Sequence, residues 1–194
     1  MNANPQKKHP HFYSEREYIA LEKAGDARYE YRDGEVVCMS GGTLNHYRIE
    51  RNIFALLHNE LKERGCESFT ADTPVKSPIE KYYRYPDASI VCGEVMIEKV
   101  LGIDCLANPI VLVEVLSPDS EDEDRNAKRK AYQAIPTLRE YLLVAQDSAH
   151  GIHYSKQGDL WQRREAADLS ASVELSSIGV RLRFEEIYSG VVFE

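Results

Sequence analysis

The sequence predicts an α/β (α+β) fold in which one central mixed β-sheet is flanked by helices and carries extra β-hairpins. Helical and strand-like segments alternate along the chain, one strand-like segment is apolar on both faces, and the C-terminal part is a series of short β-rich runs. A segment that is apolar on both faces is typical of a strand inside a covered sheet. The 194 residues, 43% of them apolar, suffice for one such domain. We expect a flexible arm over residues 1–13 and a single domain over 14–194.

The first third of the chain predicts a helix, a hairpin and a long helix. A capping box at Ser14–Glu17 starts the short first helix. The turn dipeptide Asp33–Gly34 lies between two β-rich runs and predicts a hairpin. Apolar residues at helical spacing predict the longest helix over residues 43–64, and Gly65 is its expected C-cap.

The middle of the chain contains the two strands of greatest interest. Strands are predicted over 88–92 and 110–116, and residues 96–101 between them are expected to form a helical turn. A helix over about 121–134 starts with acidic residues, which suits the positive end of the helix dipole.

The last part of the chain predicts a further strand over 139–144 and then several short β runs. Turns are expected at Gly151, Gly158 and Gly179, and a short helix near 184–188. With the preceding elements, these runs complete the mixed sheet and its hairpins.

Charge and cysteine content limit the function classes. The net charge of −8 gives no general attraction to phosphate, so nucleic-acid binding would require a local basic patch or metal ions. The four cysteines lack zinc-site or redox-motif spacing, and Cys38 and Cys92 are expected to be small buried hydrophobes. We see neither a signal peptide nor an apolar stretch long enough for a membrane span, so a cytoplasmic location is expected.

Two acidic residues on apolar strands predict a metal site. Asp87 opens one strand, and Glu114 lies inside the other on the same face as Leu112 and Leu116. Ionised carboxylates are costly to bury unless they are compensated, and a hard divalent cation is the usual compensation. Taken alone, Glu114 could equally reach solvent or an arginine, and Pro-Asp is a common turn pair.

Five segments in order resemble the Uma2 (DUF820) family of the PD-(D/E)xK nuclease superfamily. They are YEYRDGEVVCMSGG followed by His46, then YPDASIV, VLVEVLSPDS, DRNAKRKAY and REYLLV. The resemblance runs from Ser14 to Leu143 and more loosely to the end. It implies a restriction-endonuclease-like core and a metal-dependent endonuclease that hydrolyses DNA phosphodiester bonds.

The resemblance also implies the residues of the site. The Asp of the PD pair and the acid of the (D/E)xK motif would be Asp87 and Glu114, which hold one or two Mg²⁺ or Mn²⁺ ions, with the Val115 carbonyl as a further ligand. The superfamily lysine is replaced here by Leu116. The resemblance to Uma2 proteins implies that the helix after the strand supplies the lysine instead. In this chain the matching residue is Lys128.

Helical spacing agrees with a site role for Lys128. It lies on the same face as Ala131, Tyr132 and Ile135, whereas Lys130 is about 200° away around the helix axis. Lys128 would orient the attacking water or stabilise charge on the phosphate. The alternative is a surface lysine that extends its ammonium into solvent.

Three further residues are accessory candidates. His46 starts the long helix and would orient a phosphate or a metal-bound water, or else serve in capping or packing. Glu50, on the same helix, would be a further acidic ligand or a solvated residue. Glu30, in the hairpin, matches an acid of the family pattern, for which a structural role is the stronger expectation.

A basic cluster next to Lys128 is the candidate contact with a nucleic-acid backbone. Arg125, Arg129 and Lys130 form it, although a solvated helix face is the ordinary interpretation of such a run. The acidic stretch 119–124 would oppose phosphate. By resemblance, a homodimer would suit cleavage of both strands of a duplex.

Three functions therefore compete. The leading hypothesis is a Mg²⁺-dependent endonuclease that acts on DNA. The second is a catalytically inactive nuclease-fold dimer that binds nucleic acid or protein, which the leucine at 116 and the acidic composition favour. A carboxylate-pair hydrolase acting on sugars has little support, because the chain has one Trp.

Overall fold

A computed structural model describes residues 12–25, 27–32, 34–39, 42–117 and 121–193. These residues fall into two compact units, which divide between residues 40 and 41. The first unit contains α1 (Glu15–Ala24), β1 (Tyr29–Arg32) and β2 (Glu35–Cys38). The second contains, in chain order, α2 (Leu44–Leu61), β3 (Cys66–Thr70), β4 (Val75–Lys76), β5 (Tyr83–Arg84), β6 (Ala88–Cys92), β7 (Ile97–Val100), β8 (Ile103–Leu106), β9 (Val111–Leu116), α3 (Glu121–Glu123), a π-helical segment (Asp124–Lys128), α4 (Arg129–Gln133), β10 (Glu140–Ala145), β11 (His150–Gln157), β12 (Leu160–Ala167), β13 (Ser172–Leu175), β14 (Val180–Arg183) and α5 (Phe184–Ile187).

The first unit is a capped helix followed by an antiparallel hairpin. The Ser14 hydroxyl accepts the Glu17 N–H, and the Glu17 carboxylate accepts the Ser14 N–H at 2.7 Å, so the predicted capping box is confirmed. Gly25 ends α1 in the left-handed conformation, with φ of 75°. Of the predicted arm over 1–13, residues 1–11 lie outside the described residues, and the predicted single domain over 14–194 stays a prediction.

The core of the second unit is a six-stranded mixed sheet in the order β12-β11-β10-β9-β6-β3. The β9 and β10 strands are parallel, and the other neighbours are antiparallel. Every residue of β9 is buried, as expected for a central strand. Val111, Val113 and Val115 pack into one apolar cluster, whereas Leu112 and Leu116 pack into another. The predicted mixed-sheet fold and the alternation along β9 are therefore confirmed.

Helix α2 covers one face of this sheet. It begins after Thr43, whose hydroxyl accepts the His46 N–H at 3.1 Å, and it buries Ile49, Ile53 and Leu57 in the core. At 18 residues it is the longest described helix, as predicted, although it ends at Leu61 rather than near residue 64. None of the described helices combines the length and the apolar character that crossing a membrane requires.

The helical turn predicted over 96–101 is wrong, because β7 and β8 form an antiparallel hairpin there. Leu101 and Gly102 join the strands with φ values of 55° and 87°. Two consecutive positive φ angles define the tight turn whose twist matches a hairpin. A leucine is uncommon in that conformation, so the sequence gives little warning of it.

The turn predicted at Gly151 is also wrong, because this glycine lies inside β11. A Cβ atom at this position would lie 2.9 Å from Cζ of Phe184, so a side chain at Gly151 would displace the buried ring. The turns at Gly158 and Gly179 are confirmed, with φ of 60° and 65°. The short helix predicted near 184–188 is α5.

The cysteines differ from the prediction. Cys66 and Cys92 lie directly opposite each other on β3 and β6 and are joined by a disulfide, so Cys92 is not simply a buried hydrophobe. Cys38 is exposed rather than buried. Cys105 is buried, and burial raises the pKa of its thiol to about 12. A disulfide is unusual in a reducing compartment, and the cytoplasmic location stays a prediction.

Candidate active site

Strand pairing brings the two predicted acids to the same level of the sheet. Ala88 of β6 pairs with Val113 of β9 in an antiparallel ladder, so Asp87, one residue earlier, is level with Glu114. The Asp87 carboxylate accepts the backbone N–H of Val115 through Oδ2 at 2.5 Å. This hydrogen bond fixes Asp87 to the strand that carries Glu114.

Glu114 is buried and is hydrogen-bonded by the helix that follows its strand. Its Oε1 atom accepts from Lys128 Nζ at 3.1 Å and from the Tyr132 hydroxyl at 3.0 Å. Lys128 and Glu114 are 1% and 3% exposed, so this ion pair is shielded from water. A buried carboxylate requires such a partner, because its isolated charge would be strongly disfavoured.

Lys128 is the last residue of the π-helical segment, between α3 and α4. Its Nζ atom also lies 2.9 Å from Oδ1 of Asp124, which is itself 1% exposed. Two carboxylates therefore flank one ammonium group. Lys128 points inward and Lys130 is exposed, as the helical spacing predicted. π-helical segments inside α-helices are frequent at functional sites.

A second cluster forms at the start of α2. His46 and Glu50 are four residues apart on one face of the helix, and both approach Asp87. His46 Nε2 lies 3.3 Å from Asp87 Oδ1. One ligand atom from each of the three residues lies within 4.8 Å of the others, and all three side chains are half-buried.

Electrostatics in this cluster favour a positive charge. Burial lowers the pKa of His46, but the hydrogen bond and the negative charge of Asp87 more than offset burial, so the pKa is raised. Burial and then the charge of Asp87 raise the pKa of Glu50. Two crowded carboxylates resist simultaneous ionisation, and a bound cation would relieve that repulsion.

The donor atoms fit a divalent metal ion. Two carboxylates and one imidazole suit Mn²⁺, and Mg²⁺ would bind mainly through the oxygen atoms. The structure brings Asp87 together with His46 and Glu50, whereas the carboxylate of Glu114 turns toward Lys128. The metal-ligand role expected of Glu114 and of the Val115 carbonyl stays a prediction.

The members of the predicted basic cluster differ in exposure and in their contacts. The Arg129 guanidinium lies over the Tyr154 ring at 5.2 Å from its centre and donates to the Arg125 carbonyl. Arg125 is half-buried and Lys130 is exposed. Arg129 thus serves in packing, and the roles expected of Arg125, Arg129 and Lys130 at a nucleic-acid backbone stay predictions.

Glu30 belongs to the N-terminal unit. It lies in β1 opposite Val37 and is 1% exposed. A buried carboxylate in a short hairpin agrees with the structural role that the sequence favours.

Sequence reasoning missed two residues that contact the lysine–glutamate pair. The sequence indicates Asp124 only as one of several acids at a helix start, and Tyr132 only as a residue on the inward face of the helix. Each is four residues from Lys128, on either side of it. This i, i+4 spacing was the available signal.

Comparisons with known proteins agree with this fold. The Uma2 family model, described as "Putative restriction endonuclease", matches residues 16–185. Two Synechocystis sp. proteins are similar along most of their length. "Uncharacterized protein slr1290" is 32% identical over 183 residues, which cover 93% of each chain. "Uncharacterized protein sll1609" is 32% identical over 161 residues, covering 82% of this chain and 90% of the relative.

A solved structure shares the fold. It is described as a "putative nuclease belonging to DUF820" from Anabaena variabilis ATCC 29413, and it superposes with a TM-score of 0.69 at 16% identity. The match covers 86% of this chain and 93% of that one. The restriction-endonuclease-like architecture predicted from the sequence is therefore confirmed. Because the family model spans most of the chain and the relatives are similar over nearly their full length, this protein belongs to the Uma2 family of the PD-(D/E)xK nuclease superfamily.

Proposed function

We propose that this protein is a metal-dependent endonuclease that hydrolyses DNA phosphodiester bonds with Mg²⁺ or Mn²⁺. One observation carries the proposal. Asp87 belongs to a cluster of two carboxylates and one imidazole, and it accepts a hydrogen bond from β9, the strand that carries Glu114. Glu114 is in turn hydrogen-bonded by a buried lysine. Family membership supports the same reaction class.

Asp87 is the central ligand in this proposal. His46 and Glu50 would hold the metal with it, and Glu114 with the Val115 carbonyl would complete the site on the β9 side. A metal bound there would polarise the scissile phosphate and lower the pKa of a water molecule.

The residues around the metal have separate tasks. The Val115 N–H orients the Asp87 carboxylate, and the imidazole of His46 holds its other oxygen. Lys128 supplies the positive charge beside Glu114, and we assign it to stabilising negative charge on the phosphate. Tyr132 and Asp124 keep the lysine–glutamate pair in place.

The net charge of the chain bears on how it would bind DNA. Because the chain has a net charge of −8, we infer that metal ions, with Arg125 and Lys130 in support, provide most of its attraction to DNA. We further propose a homodimer, whose two sites would cleave both strands of a duplex.

Plasmid cleavage tests the proposal. Wild-type protein should nick supercoiled DNA with Mg²⁺ or Mn²⁺ and should not do so with EDTA. Asp87→Asn should lower the rate by at least about a hundredfold, because metal stabilisation of the transition state is worth several kcal/mol. Glu98→Gln is the matched control, since it removes one negative charge from the exposed β7 strand. Equal rates for Asp87→Asn and wild type would refute the assignment.

A second candidate function is a nuclease-fold binding module without activity. The engagement of Glu114 by Lys128 and Tyr132, together with leucine at 116, favours it. Calorimetry separates the two functions. Binding of Mn²⁺ by wild type and its loss in Asp87→Asn would support the nuclease, whereas wild type that binds neither Mn²⁺ nor Mg²⁺ would support the binding module.

A further inference from the structure

A separate cleft lies near the opposite end of the central strands. It has a volume of about 780 Å³ and is lined where β10 begins and β11 ends, together with parts of β12 and the β13–β14 hairpin. Glu140 and Ser155 are paired neighbours on its wall. Ile110, which also lines this cleft, directly precedes β9, whereas Glu114 lies toward the other end of that strand. The cleft is therefore distinct from the Asp87 cluster.

The Glu140 carboxylate, on the wall of the cleft, already has hydrogen-bond partners within the protein. The Glu140 carboxylate accepts the backbone N–H groups of Ser176 at 2.9 Å and Ser177 at 3.1 Å, and the Ser177 hydroxyl at 2.5 Å. Burial raises the pKa of Glu140, but bonds from His153 and Ser177 outweigh burial and lower it. Glu140 thus anchors the β13–β14 turn and has little capacity left for a cation.

The same contacts argue against a hydrolytic triad. The Ser177 hydroxyl donates to Glu140 rather than to an imidazole. His153 Nε2 lies 3.2 Å from Glu140 Oε1, so the imidazole faces the carboxylate rather than the Ser177 hydroxyl and is not oriented as a base for the serine. These contacts indicate a binding site rather than a catalytic site with an activated serine.

The charges around the cleft are unevenly compensated. Glu165 and Glu174, which line it, are ion-paired with Arg163 and Arg181. By contrast, Arg164 is exposed, and within the described ranges it makes no ion pair with a carboxylate.

Arg139 is also exposed at the cleft. Its guanidinium donates to the Pro136 carbonyl at 3.3 Å, and it likewise has no acidic partner among the residues that the structure describes. The two guanidinium groups leave local positive charge on a protein whose net charge is −8.

The nature of the ligand follows from charge, donors and size. A guanidinium group can donate two parallel hydrogen bonds to the oxygens of one phosphate. Three serines, Ser155, Ser172 and Ser176, line the same cleft. A volume of about 780 Å³ greatly exceeds that of one phosphate group and lies in the range of small-molecule sites. Ile110 and Ala166, which are half-buried, line the cleft and offer an apolar surface for an organic group.

We propose that this cleft binds a small phosphate ester of mononucleotide size, with Arg139 and Arg164 holding the phosphate. The site is independent of the metal cluster and of the proposed nuclease reaction. It gives the protein a place for an effector or a product that leaves the Asp87 site free.

Calorimetry with adenosine monophosphate tests the proposal, in EDTA so that no metal ion contributes. Wild type should bind the nucleotide, and Arg164→Gln and Arg139→Gln should each weaken binding about tenfold or more, because a charged hydrogen bond is lost. Adenosine, which lacks the phosphate, should bind at least about tenfold more weakly than the nucleotide. Both arginines are exposed, so the variants should fold normally.

Two control variants make the outcome decisive. Lys99→Gln removes one positive charge from the exposed β7 strand and should bind like wild type. Asp87→Asn should also bind like wild type, because the metal cluster is elsewhere. The proposal is overturned if wild type binds no nucleotide at millimolar concentration, if adenosine binds equally well, or if both arginine variants bind like wild type. Loss of binding in Asp87→Asn would place the ligand at the metal cluster and would also overturn it.

Discussion

Replacing Lys128 with methionine should destabilise the fold strongly, because it leaves buried carboxylates without their ammonium partner. Lys128 Nζ lies 3.1 Å from Glu114 Oε1 and 2.9 Å from Asp124 Oδ1. At an effective dielectric constant of about 20, the pair at 3.1 Å gains about 5 kcal/mol from Coulomb attraction before the cost of desolvation. Removing one partner of a buried pair costs about 3–5 kcal/mol in unfolding free energy.

Urea denaturation followed by circular dichroism measures this loss. For a chain of this size, about 3–5 kcal/mol corresponds to a fall in Tm of about 6–20 °C. Lys130→Met is the matched control, because Lys130 is exposed two residues further along the same helix. The control should change the unfolding free energy by less than about 0.5 kcal/mol.

A double-mutant cycle separates the pair from general disruption. Glu114→Gln removes the facing charge, so Lys128→Met should cost less in that background, by more than about 1 kcal/mol. If the two substitutions are additive within about 0.5 kcal/mol, or if Lys128→Met is as stable as Lys130→Met, the buried-pair reasoning is refuted.

Three other predictions concern structure outside this pair. Folding lowers the pKa of Glu140 from 4.5, so the ionised carboxylate stabilises the folded protein. The unfolding free energy of wild type should therefore exceed that of Glu140→Gln above about pH 4.5, and the difference should disappear as the pH falls through the folded-state pKa. A difference that grows on acidification would contradict this prediction. Gly151→Ala should cost about 1–3 kcal/mol through contact with Phe184, and adding Phe184→Leu should recover part of the loss in urea unfolding. Replacing Cys66 and Cys92 with serine should cost about 3.5 kcal/mol under oxidising conditions and almost nothing under reducing ones, since the disulfide closes a loop with sequence separation 26.

The features that the sequence predicts well are those that depend on local periodicity. Alternation along β9 places Glu114 on the opposite face from Val113 and Val115, and helical spacing turns Lys128 inward. The capping box at Ser14 depends on groups only three residues apart. In each case, the chain geometry of a single element decides the direction of the side chain.

The features that the sequence does not predict depend on how distant elements pack. His46 and Asp87 are 41 residues apart, and only the packing of α2 near the start of β6 brings them together. The i, i+4 spacing could indicate the contact between Asp124 and Lys128, but no residue pattern predicts the π-helical segment that carries both residues. The Cys66–Cys92 bond depends on strand register, which the spacing of cysteines alone does not give.

Gly151 illustrates a different failure. Glycine is a frequent turn residue, so local propensity assigns it to a turn. Here the absence of a side chain at Gly151 lets the Phe184 ring pack against the start of β11. Tertiary packing therefore overrides a correct local rule.

Diffraction at the manganese edge from crystals soaked in Mn²⁺ tests the central claim most directly. We predict an anomalous peak within bonding distance of the Asp87 carboxylate, with His46 and Glu50 as neighbours. A second peak beside Glu114 would support its predicted role as a ligand. A manganese ion bound elsewhere with none at Asp87, or no bound ion in crystals of active protein, would contradict the proposed metal centre.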